Sequence, residues 1–154
     1  METVIKLKLW NENVAAVAWD KEKEYATIEF YKSFANKNWD IAPLQMPIND
    51  ILRGERIFFF PANRNKTFRG LPAMLADSLP DDYGSSVINE WFASKNRMAD
   101  VSPLDRLCYI GKRGMGALEF EPANTDNLLN KFMPLYHNGQ NMLRHAKLKR
   151  NSSK

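Results

Sequence analysis

The chain has one cysteine, Cys108, so no internal disulfide framework can staple it, and a lone thiol fits a reducing compartment. Its two histidines, His137 and His145, are eight positions apart and separated by Asn138-Gly139, which argues against a shared metal ion. No apolar run approaches the roughly 18–20 residues that a membrane helix needs. The first residues lack the charged start, apolar core and small-residue cleavage site of a secretory signal. Together these absences predict a cytoplasmic protein without a membrane span. There is also no Lys-Ser/Thr pair after a glycine loop, and therefore no Walker-type phosphate cradle. Acidic residues are missing from the C-terminal part: from Lys131 onward six basic residues stand alone.

Subtracting those six from the 22 Lys and Arg leaves 16 basic against 18 acidic residues in positions 1–130. A near-neutral body thus carries a basic tail, which is not the footprint of a domain that binds nucleic acid across a face. Direct nucleic-acid binding is not expected. An apolar fraction of 44%, with nine Phe, five Tyr and four Trp in 154 residues, predicts a globular domain with a core of its own.

Residues 3–10 alternate, with Ile5, Leu7 and Leu9 on one face and Val4, Lys6, Lys8 and Trp10 on the other, which is a strand signal. Val14–Trp19 and Tyr25–Phe30 read as two more strands, joined by the turn 11–13 and the charged tip 20–24. Short links between consecutive strands favour an antiparallel meander. A loop runs from Lys37 to Pro47, and residues 49–52 suit one helical turn before Gly54. Arg56–Phe60 reads as a buried strand ended by Pro61, followed by the polar, basic loop 63–69.

Helical signals begin at Leu71, with Pro72 at a first helical position and Pro80 as the stop. Asp81–Gly84 reads as a turn, and Ser85 or Ser86 as the cap of a helix through Ser94. Val87, Ile88, Trp91 and Phe92 fall on one face of that helix, with Trp91 expected in the core. Ser102-Pro103-Leu104-Asp105 opens a further helix, with cap, proline and acidic first turn in order, ending at Gly111. A glycine-punctuated turn then leads into a strand over 117–121. Residues 124–149 have helical spacing interrupted by Pro134 and Asn138-Gly139, and 150–154 should be disordered. Removing residues 140–154 should leave the fold intact.

Three features invite a chemical reading. Gly111, Lys112, Arg113 and Gly114 combine glycine amides with two cations and could hold a phosphate, although a helix stop followed by a tight turn explains the glycines equally. Asp77, Asp81 and Asp82 cluster in sequence, but without histidines nearby capping and turn formation account for them better than a metal or an acid–base site. Cys108 lies on an apolar helix face with no neighbouring histidine, as an inert thiol does. No catalytic residue, metal ligand or cofactor site is evident. Tyr83 stands apart, because an aromatic between Pro80 and Gly84 has little to pack on locally. It serves either the domain's own sheet or a partner.

ADSLPDDYG (residues 76–84) and SPLDRLCYIGKRGMGALEFEP (residues 102–122) resemble the N-terminal module of HipA-type Ser/Thr kinases, the toxins of bacterial HipBA toxin–antitoxin operons. Relatives often have Trp where Tyr83 stands, and the region after Asn124 does not resemble the family. The resemblance implies an α+β fold, a small antiparallel, barrel-like β-sheet with several helices packed on it. It places a HipA N-terminal-like domain at 1–123, beyond which the residue pattern gives a C-terminal helical extension (124–149) and a disordered tail (150–154). ATP binding, the catalytic aspartate and the metal ligands belong to the kinase body of such proteins and have no counterpart here. The implied role is therefore a non-catalytic, HipS-like antitoxin that docks on a HipA-like Ser/Thr kinase, beside a HipB-like DNA-binding protein. The docking turn would be Asp77, Ser78, Leu79, Pro80, Asp81, Asp82, Tyr83 and Gly84. A truncated HipA fragment without independent function and a weak nucleotide- or phosphate-binding protein are the alternatives.

Overall fold

The first strand, β1 (Thr3–Leu9), sits beside the centre of a five-stranded sheet. The structure is a computed structural model that describes residues 3–96, 101–113 and 116–123. β1 pairs with β2 (Glu12–Asp20), which pairs with β3 (Tyr25–Phe30), and β3 with the short edge strand β4 (Ile57–Phe59). The last strand, β5 (Leu118–Pro122), returns to the other side of β1, so the order is β4-β3-β2-β1-β5 with every pair antiparallel. The strand alternation reads true: Ile5, Leu7 and Leu9 are buried, while Lys6 and Lys8 point to the opposite face.

The sheet is open, which corrects the barrel-like closure. β4 and β5 form its two edges and do not pair with each other. Each edge strand is short and runs into a proline, Pro61 after β4 and Pro122 at the end of β5, which has no amide hydrogen to extend a ladder. β4 also corrects the buried strand expected over 56–60. Ile57 and Phe59 are 59% and 55% exposed, and only Phe58 turns inward, meeting Phe30 edge-on at 5.9 Å. An outermost strand has one covered face, so three consecutive apolar residues cannot all be buried there.

Two tight links hold the meander. Trp10 and Asn11 connect β1 to β2 with positive φ at both positions, the geometry that matches strand twist in a two-residue hairpin. The register then slips between Leu7 and Lys8, so that Val14 and Ala15 both turn into the core. At the β2–β3 tip, Asp20 accepts the amides of Glu22 and Lys23 at 3.0 Å and pairs with the Lys23 ammonium. Those bonds, led by the Lys23 amide, hold the Asp20 carboxyl below the usual carboxylate range.

Helices cover one face of the sheet. α1 (Lys32–Ala35) was not marked in the sequence, and it buries Phe34 against Phe30. α2 (Ile48–Arg53) ends in a left-handed Gly54. A single 3-10 turn (Pro61–Asn63) places Asn63 inside, where its side-chain amide donates to the Leu71 carbonyl at 2.8 Å. Pro72 is the N-cap of α3 (Ala73–Ala76) and not its first helical residue. α5 (Pro103–Ile110) packs on β1 and β5 through Leu104 and Leu107, both fully buried.

The expected signals at the start of α5 close into a reciprocal cap. Ser102 Oγ accepts the Asp105 amide at 3.1 Å, and Asp105 Oδ2 accepts the Ser102 amide and hydroxyl at 2.8 and 2.7 Å. Because Ser102 and Asp105 are both buried, their removal leaves polar groups away from water. Asp105→Ala is expected to cost about 2 kcal/mol of stability, read from urea unfolding.

Residues 1–123 form the first of two units and hold this whole core; 124–154 form the second. The helices expected over 124–149, the tail 150–154 and the dispensable segment 140–154 lie outside the described residues. Among the described residues no helix is long and apolar enough to cross a membrane.

Candidate interaction surface

The segment from Asp77 to Gly84 is short, and hydrogen bonds within the chain hold its backbone in place. Asp77 closes α3 with its backbone amide on the Ala73 carbonyl and keeps its side chain exposed. Ser78 Oγ donates to the Met74 carbonyl at 3.1 Å, and Leu79 packs against the core. Pro80 then breaks the helical path, and its carbonyl accepts the Ser85 hydroxyl at 3.2 Å.

The next residues depart from the expected turn. α4 spans Asp82–Ser94 and is capped by Asp81, whose Oδ1 accepts the Gly84 amide at 2.8 Å. Ser85 and Ser86, the expected caps, lie inside the helix with their hydroxyls on the carbonyls of Pro80 and Asp82. A carboxylate competes well for a helix N-cap, since it also meets the positive end of the helix dipole, and Asp82 adds a second negative charge there. The sequence Pro-Asp-Asp therefore outranks the serines that follow.

This early start has two consequences. Gly84 packs against Pro80, where a Cβ would come within 2.9 Å of the proline Cβ and 3.2 Å of Asp81 Oδ1. The glycine lets the incoming chain lie close on the first helical turn. Tyr83 then occupies that turn, on a rigid element and not a loose tip, and is 80% exposed. Of the two readings open for Tyr83, packing on its own sheet is excluded.

α4 is held from behind. Ile88 and Phe92 are buried one turn apart, whereas Val87 is exposed, so the expected four-residue apolar face is narrower than its sequence. Trp91 is half-buried rather than core, its ring meeting Phe92 at 5.0 Å and Tyr109 of α5 at 5.7 Å. Arg106 of α5 bridges the helices, donating Nη2 to Asn89 Oδ1 at 2.7 Å. Partial burial, with Arg69 nearby, lowers its pKa from the ordinary arginine value, yet a guanidinium stays charged at any physiological pH. The joining of Asn89, Arg106 and Tyr109 was not legible in the sequence, because contacts between α4 and α5 are not local.

The glycine-rich turn is engaged within the chain. Gly111 donates its amide to the Leu107 carbonyl at 2.9 Å, and the Arg113 amide bonds the Ile110 carbonyl at 3.0 Å. Lys112 lies 3.3 Å from Glu119 and 3.9 Å from Glu121 on β5. Gly111 follows the last residue of α5 with φ +57°, a value glycine adopts without strain. Gly114 lies outside the described residues. Among the described residues no group of three His, Cys, Asp or Glu gathers where a metal could be held.

Residues 5–121 match the family model of the HipA N-terminal domain. The chain belongs to the HipA N-terminal domain family. That span takes in every described element from within β1 to within β5, so the domain comprises the sheet, α5 and the α3–α4 segment with Tyr83. No curated protein sequence matches the chain.

Proposed function

We propose that this HipA N-terminal domain is a non-catalytic binding module, a HipS-like antitoxin that docks on a HipA-like Ser/Thr kinase and restrains it. A HipB-like DNA-binding protein is a further candidate component. The observation that supports this reading is Tyr83, an exposed ring fixed on the first turn of a helix whose cap, glycine packing and buried face are all accounted for without it. A large aromatic displayed from a helix has its backbone ordered in advance, so binding restrains little beyond the two torsions of its own side chain, which suits an interface anchor. Set in a cleft of the kinase, such a ring would oppose the closure that phosphoryl transfer needs.

Catalysis by the domain itself finds no support in its chemistry. Phosphoryl transfer requires cations and amides free to meet phosphates, together with a base that orients the nucleophile. Here the Gly111 and Arg113 amides serve the chain's own carbonyls, and Lys112 serves two carboxylates. The chain alone is expected to release no phosphate from ATP above a blank and to show no autophosphorylation. Turnover abolished by Lys112→Ala or Arg113→Ala would assign it an activity.

Affinity capture from the native host tests the partner. The tagged chain should retain a HipA-type kinase, identified by mass spectrometry, and Tyr83→Ala should retain far less. Retention of no kinase by the unaltered protein would remove the reading.

A further inference from the structure

Tyr83, Val87 and Trp91 are spaced four residues apart on α4, so they line one side of the helix, next to the side that Ile88 and Phe92 bury. Tyr83 and Val87 are 80% and 45% exposed. Trp91 sits at the boundary, and through its contact with Tyr109 the apolar line continues onto α5. The ridge is thus longer than the Tyr83 turn and is backed by packed aromatics at its far end.

The stretch of chain that carries it is one-sided in charge, and the structure sets the Arg106 cation on Asn89 of α4. Between Gly70 and Ser94 there are four carboxylates, Asp77, Asp81, Asp82 and Glu90, and no Lys or Arg, in a chain of net charge +4. Among the described residues none of the four takes part in an ion pair. An apolar ridge flanked by carboxylates that form no ion pair among the described residues disfavours nucleic-acid phosphates and anionic lipid headgroups. A second copy is disfavoured for the same reason, because a two-fold contact would bring the same carboxylates together. What remains is a protein surface of the opposite pattern.

We infer that the Tyr83–Val87–Trp91 ridge of α4 is the long axis of the docking surface, and that it seats in an apolar groove of the partner kinase rimmed by lysine and arginine. This rests on the proposed docking at Tyr83 and extends it by two helical turns. Tyr83 anchors one end, Val87 fills the middle, and the carboxylates set orientation and speed of encounter.

The test measures binding of the purified HipA-type kinase from the same host by a surface or calorimetric method, with melting followed for every variant. Val87→Glu, which places a charge on the ridge, should weaken affinity at least about tenfold without a lower melting temperature. Ala93→Glu, exposed on the same helix but off the ridge, should stay within about twofold. Glu90→Lys should slow association, and the wild-type association rate should fall with added salt. If Val87→Glu melts early, Val87→Ser and Glu90→Lys carry the test, with weaker affinity and slower association expected respectively. Wild-type affinity and kinetics in the ridge variants, with Tyr83→Ala still weakened, would overturn the ridge and leave the Tyr83 reading in place. Unchanged binding in all variants, Tyr83→Ala included, would remove both. Self-association that responds to Val87→Glu would overturn the inference in favour of a second copy.

Discussion

Tyr83→Ala is expected to weaken binding to the partner kinase about thirtyfold, an anchor loss on the order of 2 kcal/mol, while leaving thermal stability nearly unchanged. The separation of the two effects follows from the structure. The ring is 80% exposed, so its removal opens no cavity and breaks no buried hydrogen bond. Alanine is a good helix former, and the Asp81 cap acts through the Gly84 amide, not through residue 83. Phe92 is the appropriate contrast on the same helix. It is buried behind α4 against Trp91 and Tyr109, and Phe92→Ala should cost about 3–5 kcal/mol and weaken binding only through unfolding. Trp91 cannot serve as that contrast, since it is half-buried and contributes to both the packing and the exposed ridge. Thermal melts and titrations of Tyr83→Ala and Phe92→Ala side by side would show whether the two roles separate as described.

Among the described glycines, Gly70→Ala should have the largest effect on stability, about 3 kcal/mol or more by urea unfolding. Gly70 has φ +77°, which a side chain adopts only under strain, and a Cβ there would collide with the Glu24 carbonyl oxygen and come within 2.9 Å of the Trp19 ring. The neighbouring backbone has no room to move. The Gly70 carbonyl accepts the Ala26 amide at 2.8 Å, its amide donates to the Asn63 carbonyl at 2.8 Å, and Asn63 also holds Leu71. The loop after the 3-10 turn is therefore pinned to the start of β3, and the methyl would have to break that connection. An unchanged unfolding midpoint for Gly70→Ala would show that the loop is not held in this way.

The sequence made the meander and α5 legible because their signals are local. Alternation in residues 3–9 depends on adjacent side chains, and the Ser102–Asp105 cap spans three positions. The start of α4 lies several residues before the expected one because Asp81, Ser85 and Ser86 all qualify as caps. The competition was decided by the double carboxylate and by Gly84 packing on Pro80, a contact that emerges only when the chain is folded. For β4 the error was one of position. A run of Ile and three Phe shows how apolar a strand is but not that it lies at an edge, and the edge is what exposes Ile57 and Phe59. The open sheet is a consequence of the same long-range placement. At the candidate site, the exposure of Tyr83 was left open by the sequence, because an aromatic between Pro80 and Gly84 can pack either on its own sheet or on a partner. Val87 was assigned to the buried face, since helical spacing alone does not show where burial stops along a face.

The proposed restraint of a kinase by this HipA N-terminal domain depends on the exposed Tyr83 of α4. Its most direct test is the autophosphorylation rate of the host's HipA-type kinase, measured with none, with equimolar wild-type chain and with equimolar Tyr83→Ala. The rate should fall with the wild-type chain and recover with Tyr83→Ala, a variant that should melt as the wild-type does. A kinase rate unaffected by the wild-type chain, or suppressed equally by Tyr83→Ala, would contradict the account.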